Sequence, residues 1–159
     1  MRKCTLLLLG MAITCAAQAQ SSFSRNFAYV EAGGNGLFGS INYERQFSKK
    51  PGFGMRAGLG FYAEYDFYLT VPVAFNYLIP LKNEYQFLEA ALGLTPTLFK
   101  NRPEKNHVNI EVDHYFIPTF GFRKHTRNNY MWRINVGTII ATYDGYTLPW
   151  VGFSYGKRF

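Results

Sequence analysis

The sequence predicts an all-β fold, an eight-stranded antiparallel up-and-down barrel that spans a membrane. Residues 148–159, LPWVGFSYGKRF, alternate between an apolar face and a mainly small or polar face, and the chain ends on an aromatic residue. Such alternation is typical of a β-strand. Aromatic residues make up 18% of the chain and glycines number 15, which suits the interfacial girdles and crowded interior of a small membrane barrel. After residue 20 no apolar run approaches the roughly 20 residues of a membrane helix, so a membrane-spanning chain would need a closed barrel.

The first nineteen residues predict a secretory signal peptide. Arg2 and Lys3 precede a short apolar run at 6–13, and residues 17–19 form an A-x-A cleavage sequence. We expect cleavage after Ala19, which leaves residues 20–159 as the barrel domain. Cleavage removes two basic residues and both cysteines, so the formal net charge falls from +7 to +5. The mature chain would then form no disulfide and hold no thiolate-bound metal.

Eight stretches of the mature chain alternate in polarity. The predicted strands are 26–34, 37–47, 53–62, 69–78, 86–98, 110–124, 130–140 and 148–159. The alternation is clearest in FGMRAGLGFY, the third of them, where every second residue is apolar. The first boundary is open to a second interpretation, because 27–47 could form one long glycine-bulged strand.

Turn sequences rich in Gly, Pro, Asn and Asp separate these strands. They are GGNG (33–36), SKKPG (48–52), AEYD (63–66), PLKNE (80–84), KNRPEKNH (100–107), TRNN (126–129) and YDGY (143–146). An even number of strands places both termini, and the turns at 48–52, 80–84 and 126–129, on the periplasmic side. The remaining connections would face the outside, where longer loops such as 100–107 are usual.

The alternation places nine charged residues on the inward faces of the strands. They are Glu31, Glu44, Arg56, Glu89, Glu111, Asp113, Arg123, Arg133 and Arg158. Eight strands leave an interior just wide enough for side chains, and buried charges require partners. We therefore expect a luminal network of ion pairs and no open pore. The alternative is a site with paired carboxylates or a cation path.

Four segments carry a family resemblance: YVEAGGNGLFGSINYERQF (29–47), VPVAFNYLIP (71–80), ALGLTP (91–96) and GFSYGKRF (152–159). Together they resemble a group of small, mostly uncharacterised outer-membrane β-barrel proteins and, more loosely, the eight-stranded barrels of the OmpA and OmpX type. The resemblance covers nearly the whole mature chain. It implies the fold and a Gram-negative outer-membrane location, but its motifs are strand patterns and imply no specific activity. Lys157 departs from the hydrophobic residue usual at that point of an assembly signal, and a lysine there can snorkel to the interface.

Three histidines provide the main indication of an enzyme. Small outer-membrane barrels include lipid A deacylases and palmitoyltransferases, in which a histidine acts with a serine. Here His114 faces outward whereas Ser40 and Ser154 face inward, and His107 lies in the longest loop. His125, beside a periplasmic turn, is interpreted as an interfacial polar residue. The sequence therefore favours a non-enzymatic protein without metal or cofactor, with a lipid-modifying enzyme as the alternative.

A soluble periplasmic barrel of lipocalin type is the other alternative. It would carry a hydrophobic ligand and would require the reverse polarity, with the apolar faces inside. The glycine-rich second face of 53–62 argues against it, since a solvated face need not be small. Nucleic-acid binding is excluded by the signal peptide and by the lack of clustered basic residues among stacking aromatics.

The expected partners are those of an envelope protein. Lys100, Arg102 and Lys105 would contact lipopolysaccharide phosphates, although a solvated loop is the simpler interpretation. Phe153, Tyr155 and Phe159 would form the C-terminal signal through which the barrel-assembly machinery inserts the chain. We expect a monomer with a structural or envelope-interaction role.

Overall fold

The computed structural model describes residues 23–64, 67–101, 109–143 and 145–159. These residues contain nine strands and one short 3-10 turn. The strands are β1 (Asn26–Gly33), β2 (Gly39–Gln46), β3 (Phe53–Ala63), β4 (Phe67–Thr70), β5 (Val73–Pro80), β6 (Gln86–Asn101), β7 (Asn109–His125), β8 (Tyr130–Ala141) and β9 (Thr147–Arg158); the turn is Gly34–Gly36. The predicted strands are thus recovered with bounds that differ by a few residues. No helix in these ranges is long and apolar enough to cross a bilayer.

The strands close into an antiparallel up-and-down barrel. Apart from β4 and β5, each strand pairs with its neighbours in the chain, and β1 closes the ring against β9, with Tyr29 opposite Gly156. β4 and β5 both lie between β3 and β6 and form one interrupted strand. The interruption falls at Val71 and Pro72, because proline has no N–H to donate to the ladder. The predicted eight-stranded barrel is confirmed, and the first hairpin is two strands rather than one.

The turn between β1 and β2 folds back into the barrel. GGNG was expected among the connections on the outer side of the membrane; at that end of the barrel Gly34, Asn35 and Gly36 are all buried, and the turn lies in the lumen. The inward bend needs positive φ angles of 72° at Gly33 and 65° at Gly34, which glycine adopts without steric cost. Leu37 also has a positive φ, 63°. The lumen is therefore filled partly by the chain's own first turn.

The polarity of the barrel is the reverse of that of a soluble protein. Among the described residues, nineteen buried side chains are polar or charged and eleven are hydrophobic. The outer wall is apolar, with Val151 67% exposed and Leu59 60% exposed. Polar faces inside and apolar faces outside are the arrangement that the strand alternation predicted.

The lumen is filled in three layers. At the end away from the termini, Leu37, Ile117 and Ile139 pack with partly buried Tyr62, Tyr115, Leu148 and Trp150. The charged residues occupy the middle. At the end that holds the termini, Phe23, Leu78 and Phe87 form one apolar cluster, and Phe27, Tyr29 and Met131 form another. Apolar layers therefore lie above and below the charged layer.

Candidate functional site

The middle layer is built around Glu44 of β2 and Arg123 of β7. Arg123 donates from Nη1 to Oε1 of Glu44 at 2.6 Å and from Nη2 to Oε2 at 2.7 Å. Both side chains are fully buried. Asn76 and Gln46 also donate to Oε1 of Glu44, at 3.0 and 2.9 Å. Such a bidentate pair combines charge with fixed geometry.

Glu89 of β6 joins three arginines. Its Oε2 accepts from Nε of Arg123 at 2.7 Å. Its Oε1 accepts from Nη1 of Arg133 at 2.9 Å and from Nη1 of Arg56 at 3.3 Å. The strands position these groups because β2, β3, β6, β7 and β8 each point one of the five side chains inward at the same level. Glu89 is the carboxylate on which the arginines of the layer converge.

Glu31 of β1 completes the layer. Its carboxylate pairs with Arg133 and accepts from the hydroxyl of Ser154 at 2.9 Å. Arg133 also donates to the Ser154 hydroxyl at 2.8 Å. Thus Ser154 is a bridge within an ion pair, not a free nucleophile.

The inward turn is bonded to this layer through Asn35. The Asn35 side-chain carbonyl accepts from Arg56, and its side-chain amide donates to the carbonyl of Ile117 at 3.2 Å. The backbone N–H of Asn35 donates to Glu31 at 2.8 Å, and its carbonyl accepts from the Thr95 hydroxyl at 2.6 Å. Nothing in GGNG distinguishes an inward turn from an outward one, so the sequence did not reveal the role of Asn35.

The layer is balanced in charge and tightly bonded. Among the described residues it holds three glutamates (Glu31, Glu44, Glu89) and three arginines (Arg56, Arg123, Arg133), whose formal charges cancel. Two guanidinium groups also lie over aromatic rings: Arg123 is 5.2 Å from the Phe27 centroid and Arg133 is 4.9 Å from that of Tyr29. These contacts fill the lumen and fix the positions of the charges. The arrangement suits a structural network better than proton transfer.

Three of the nine predicted inward charges do not join this layer. Arg158 is buried at the end that holds the termini, where it donates to the carbonyl of Thr126 at 2.9 Å. Asp113 is half-buried and Glu111 is exposed. The inward assignment was wrong for Glu111, because the β6–β7 hairpin extends beyond the last β7–β8 pair at Tyr115 and Ala141 and there encloses no lumen.

His125 also differs from its predicted interfacial setting. It is 1% exposed, and its ring lies against Phe23, Phe27 and Phe87, with centroids 5.9, 5.2 and 4.7 Å away. Its Nδ1 lies 3.5 Å from Nη1 of Arg158. The alternation signal was present, since Arg123 and His125 are two residues apart on one strand and share a face.

Among the described residues, those considered for catalysis do not come together. His114 is exposed on the outer wall, whereas Ser40 is buried in the lumen and accepts a hydrogen bond from Asn42. His107 lies outside the described residues. No group of three or more His, Cys, Asp or Glu in the described ranges is placed to hold a metal ion.

The residues predicted to contact the assembly machinery lie on the exterior of the barrel, and the side chains predicted to contact lipopolysaccharide lie outside the described residues. Phe153 and Tyr155 point outward from β9, and Phe159 follows it, all of them exposed. Arg102, Lys105 and the side chain of Lys100 lie outside the described residues.

Comparison with known proteins supports the fold. No model of a known protein family matches the chain, and no curated protein sequence matches it. The chain is similar in structure to the N-terminal β-barrel domain of Pseudomonas aeruginosa OprF, with a TM-score of 0.61. The match covers 85% of this chain and 96% of that domain at 10% sequence identity. The chain therefore has the closed eight-stranded barrel fold of that domain, as its sequence resemblance implied.

Proposed function

We propose that the protein is an integral outer-membrane β-barrel of a Gram-negative bacterium, with a structural or envelope-interaction role and no enzymatic activity. Residues 1–19 would direct export and be removed. The observation that carries this proposal is the reversed polarity of the barrel, in which ion-paired side chains fill the interior and large apolar side chains cover the wall. Lipid requires such a wall and a strand ladder without open edges.

Aromatic rings at the strand ends support membrane placement. Near the end that holds the termini, exposed rings pair on the outer wall as Phe53–Tyr77 and Tyr130–Tyr155, with centroids 4.6 and 5.7 Å apart. At the other end Phe61 stacks on Phe67 at 6.3 Å. Rings at both ends of the outer wall resemble the girdles at the two interfaces of a membrane barrel.

The two alternatives are not favoured by the geometry. A lipocalin-type carrier would need an apolar cavity, whereas the described lumen contains a charged layer between two packed apolar layers. A lipid-modifying enzyme would need a histidine within hydrogen-bond reach of a serine, and His114 and Ser154 lie on opposite faces of the barrel wall.

The packed lumen also supports a closed barrel. Arg123 and Arg133 cross the interior to reach carboxylates on other strands, and the Gly34–Gly36 turn occupies the space above them. We therefore expect no stable ion-conducting pore. We also propose that the 100–107 loop binds lipopolysaccharide, that the barrel-assembly machinery recognises the C-terminal strand, and that the protein is a monomer.

Membrane fractionation combined with gel mobility tests the function. We expect the expressed protein to sediment with outer membranes, to resist extraction by a salt wash, and to show a folded band that shifts on boiling. A protein that is released by salt and migrates identically before and after boiling would contradict the proposal and direct attention to a soluble carrier.

A further inference from the structure

The barrel end that holds the termini contains a cleft that the luminal network does not use. It has a volume of about 400 Å³ and lies between the β5–β6 and β7–β8 turns. The residues that line it are Asn83, Tyr85, Lys124, His125, Thr126, Arg127 and Asn128. Two of them are cations and none is an acid.

A third cation is held against this cleft. Arg158 lies over the Tyr85 ring at 5.9 Å and donates to the Thr126 carbonyl at 2.9 Å. It is 6% exposed, and its Nε has no hydrogen-bond partner among the described residues. A buried cation against Tyr85 and Thr126, together with Lys124 and Arg127 in the lining, makes the cleft electropositive, so it favours an anionic occupant.

His125, one of the residues that line the cleft, contributes a buried polar atom without a partner among the described residues. A guanidinium can only donate, so Nδ1 of His125, 3.5 Å from Nη1 of Arg158, must accept. The hydrogen of the neutral ring is thereby assigned to Nε2, which is buried and lacks an acceptor in the described residues. A buried donor without a partner is costly, and an oxygen acceptor would relieve that cost.

We propose that this cleft binds a phosphate-type oxyanion, with Lys124 and Arg127 as its principal ligands and His125 and Arg158 behind them. The inference rests on the proposed membrane placement, which puts these turns at the level of the inner-leaflet headgroups. A phospholipid phosphate and free inorganic phosphate share this chemistry. Amide groups of Asn83 and Asn128 would supply neutral hydrogen bonds to the same oxygens.

The test compares two double variants of equal charge. Lys124→Gln with Arg127→Gln removes the two cations of the cleft. Lys49→Gln with Lys50→Gln removes two exposed cations from the β2–β3 turn at the same barrel end. Refolded proteins are mixed with micelles of short-chain phosphatidylglycerol and phosphatidylcholine, and the retained lipids are measured by native mass spectrometry. A parallel titration uses inorganic phosphate.

We expect the wild type and the Lys49/Lys50 variant to prefer phosphatidylglycerol by about tenfold, because the choline cation offsets the phosphate charge of phosphatidylcholine, and we expect the Lys124/Arg127 variant to lose that preference. Saturable binding of inorganic phosphate without lipid preference, lost in the same variant, would support the oxyanion site and assign it to the free ion. If both double variants lost lipid preference and phosphate binding equally, or if neither variant lost them, the proposed site would be overturned. A wild type that shifts on boiling but neither discriminates between the lipids nor binds inorganic phosphate would overturn the site alone, whereas absence of the boiling shift would contradict the membrane placement.

Discussion

At the scale of single residues, Glu89 is the carboxylate of the charged layer that accepts hydrogen bonds from the most arginines. Its carboxylate accepts hydrogen bonds from Arg56, Arg123 and Arg133. We predict that Glu89→Gln lowers the free energy of unfolding by about 3 kcal/mol, because three buried arginines would then face two carboxylates. Urea titration of the barrel in lipid vesicles, followed by the mobility of the folded band, measures this change.

The matched control for that substitution is Glu111→Gln, which removes the same charge from an exposed position on β7. It is expected to change stability by less than about 0.5 kcal/mol. If Glu89→Gln were as mild as Glu111→Gln, the interior would have to be hydrated, and the closed lumen would be in doubt.

The period of two along each strand assigns side chains to one face of the sheet or the other. Glu31, Glu44 and Arg133 are buried in the lumen, on the face that the alternation assigned to the interior. The same rule failed at Glu111, since alternation describes a face of the sheet but does not reveal whether a lumen lies behind it. The role of Asn35 in the charged layer could not be predicted, because its partners, Arg56 and Ile117, come from strands distant in sequence.

At the scale of elements, the inward turn depends on a position in β6 that has no side chain. Gly93 lies beside the Asn35 side chain, and a methyl group there would overlap the Asn35 amide. We predict that Gly93→Ala destabilises the barrel by about 2 kcal/mol through overpacking, measured by the same urea titration.

Gly39→Ala in β2 provides the control, because nothing lies within 4 Å of the added carbon. In an Asn35→Ala background the Gly93→Ala change should cost much less, since the overlapping amide is gone. Additive effects of the two substitutions would show that the turn does not pack against Gly93.

Strand positions were predictable because turn residues mark the strand ends and alternation marks the faces. The break at Pro72 was not predicted, because a proline within an alternating run is compatible with an edge, a bulge or an interruption. The position of the first turn inside the lumen could not be predicted either. Its glycines permit the bend, but the hydrogen bonds from Thr70 and Thr95 determine where it goes.

At the scale of the whole molecule, the outward face of β3 distinguishes a barrel in lipid from one in water. Ala57, near the middle of the strand, and Ala63, at its end, are both exposed on that face. We predict that Ala57→Arg destabilises the folded barrel in vesicles by about 2–4 kcal/mol, and that Ala63→Arg costs about 0–1 kcal/mol, because the cost of an outward arginine depends on its depth in the bilayer.

Refolding yield and urea stability in vesicles provide the comparison. Equal, small effects of the two substitutions would mean that neither position contacts hydrocarbon. Since both replace alanine on one face of one strand, differences in strand propensity cannot account for a large difference between them.

The first turn constrains the order in which the chain can be assembled. Its carbonyls accept hydrogen bonds from Thr70, Thr95 and Trp150, and the ion pair from Glu31 to Arg133 joins residues 102 positions apart. Contacts of such long sequence separation form slowly, since the entropy of closing the intervening loop must be overcome first. The contacts of Glu31 with Arg133 and of the turn with Trp150 can therefore form only when β8 and β9 are present. Without β9, the charged residues of the inner face would lack their partners and their cover. The same side chains that stabilise the complete barrel therefore disfavour a barrel that closes without β9.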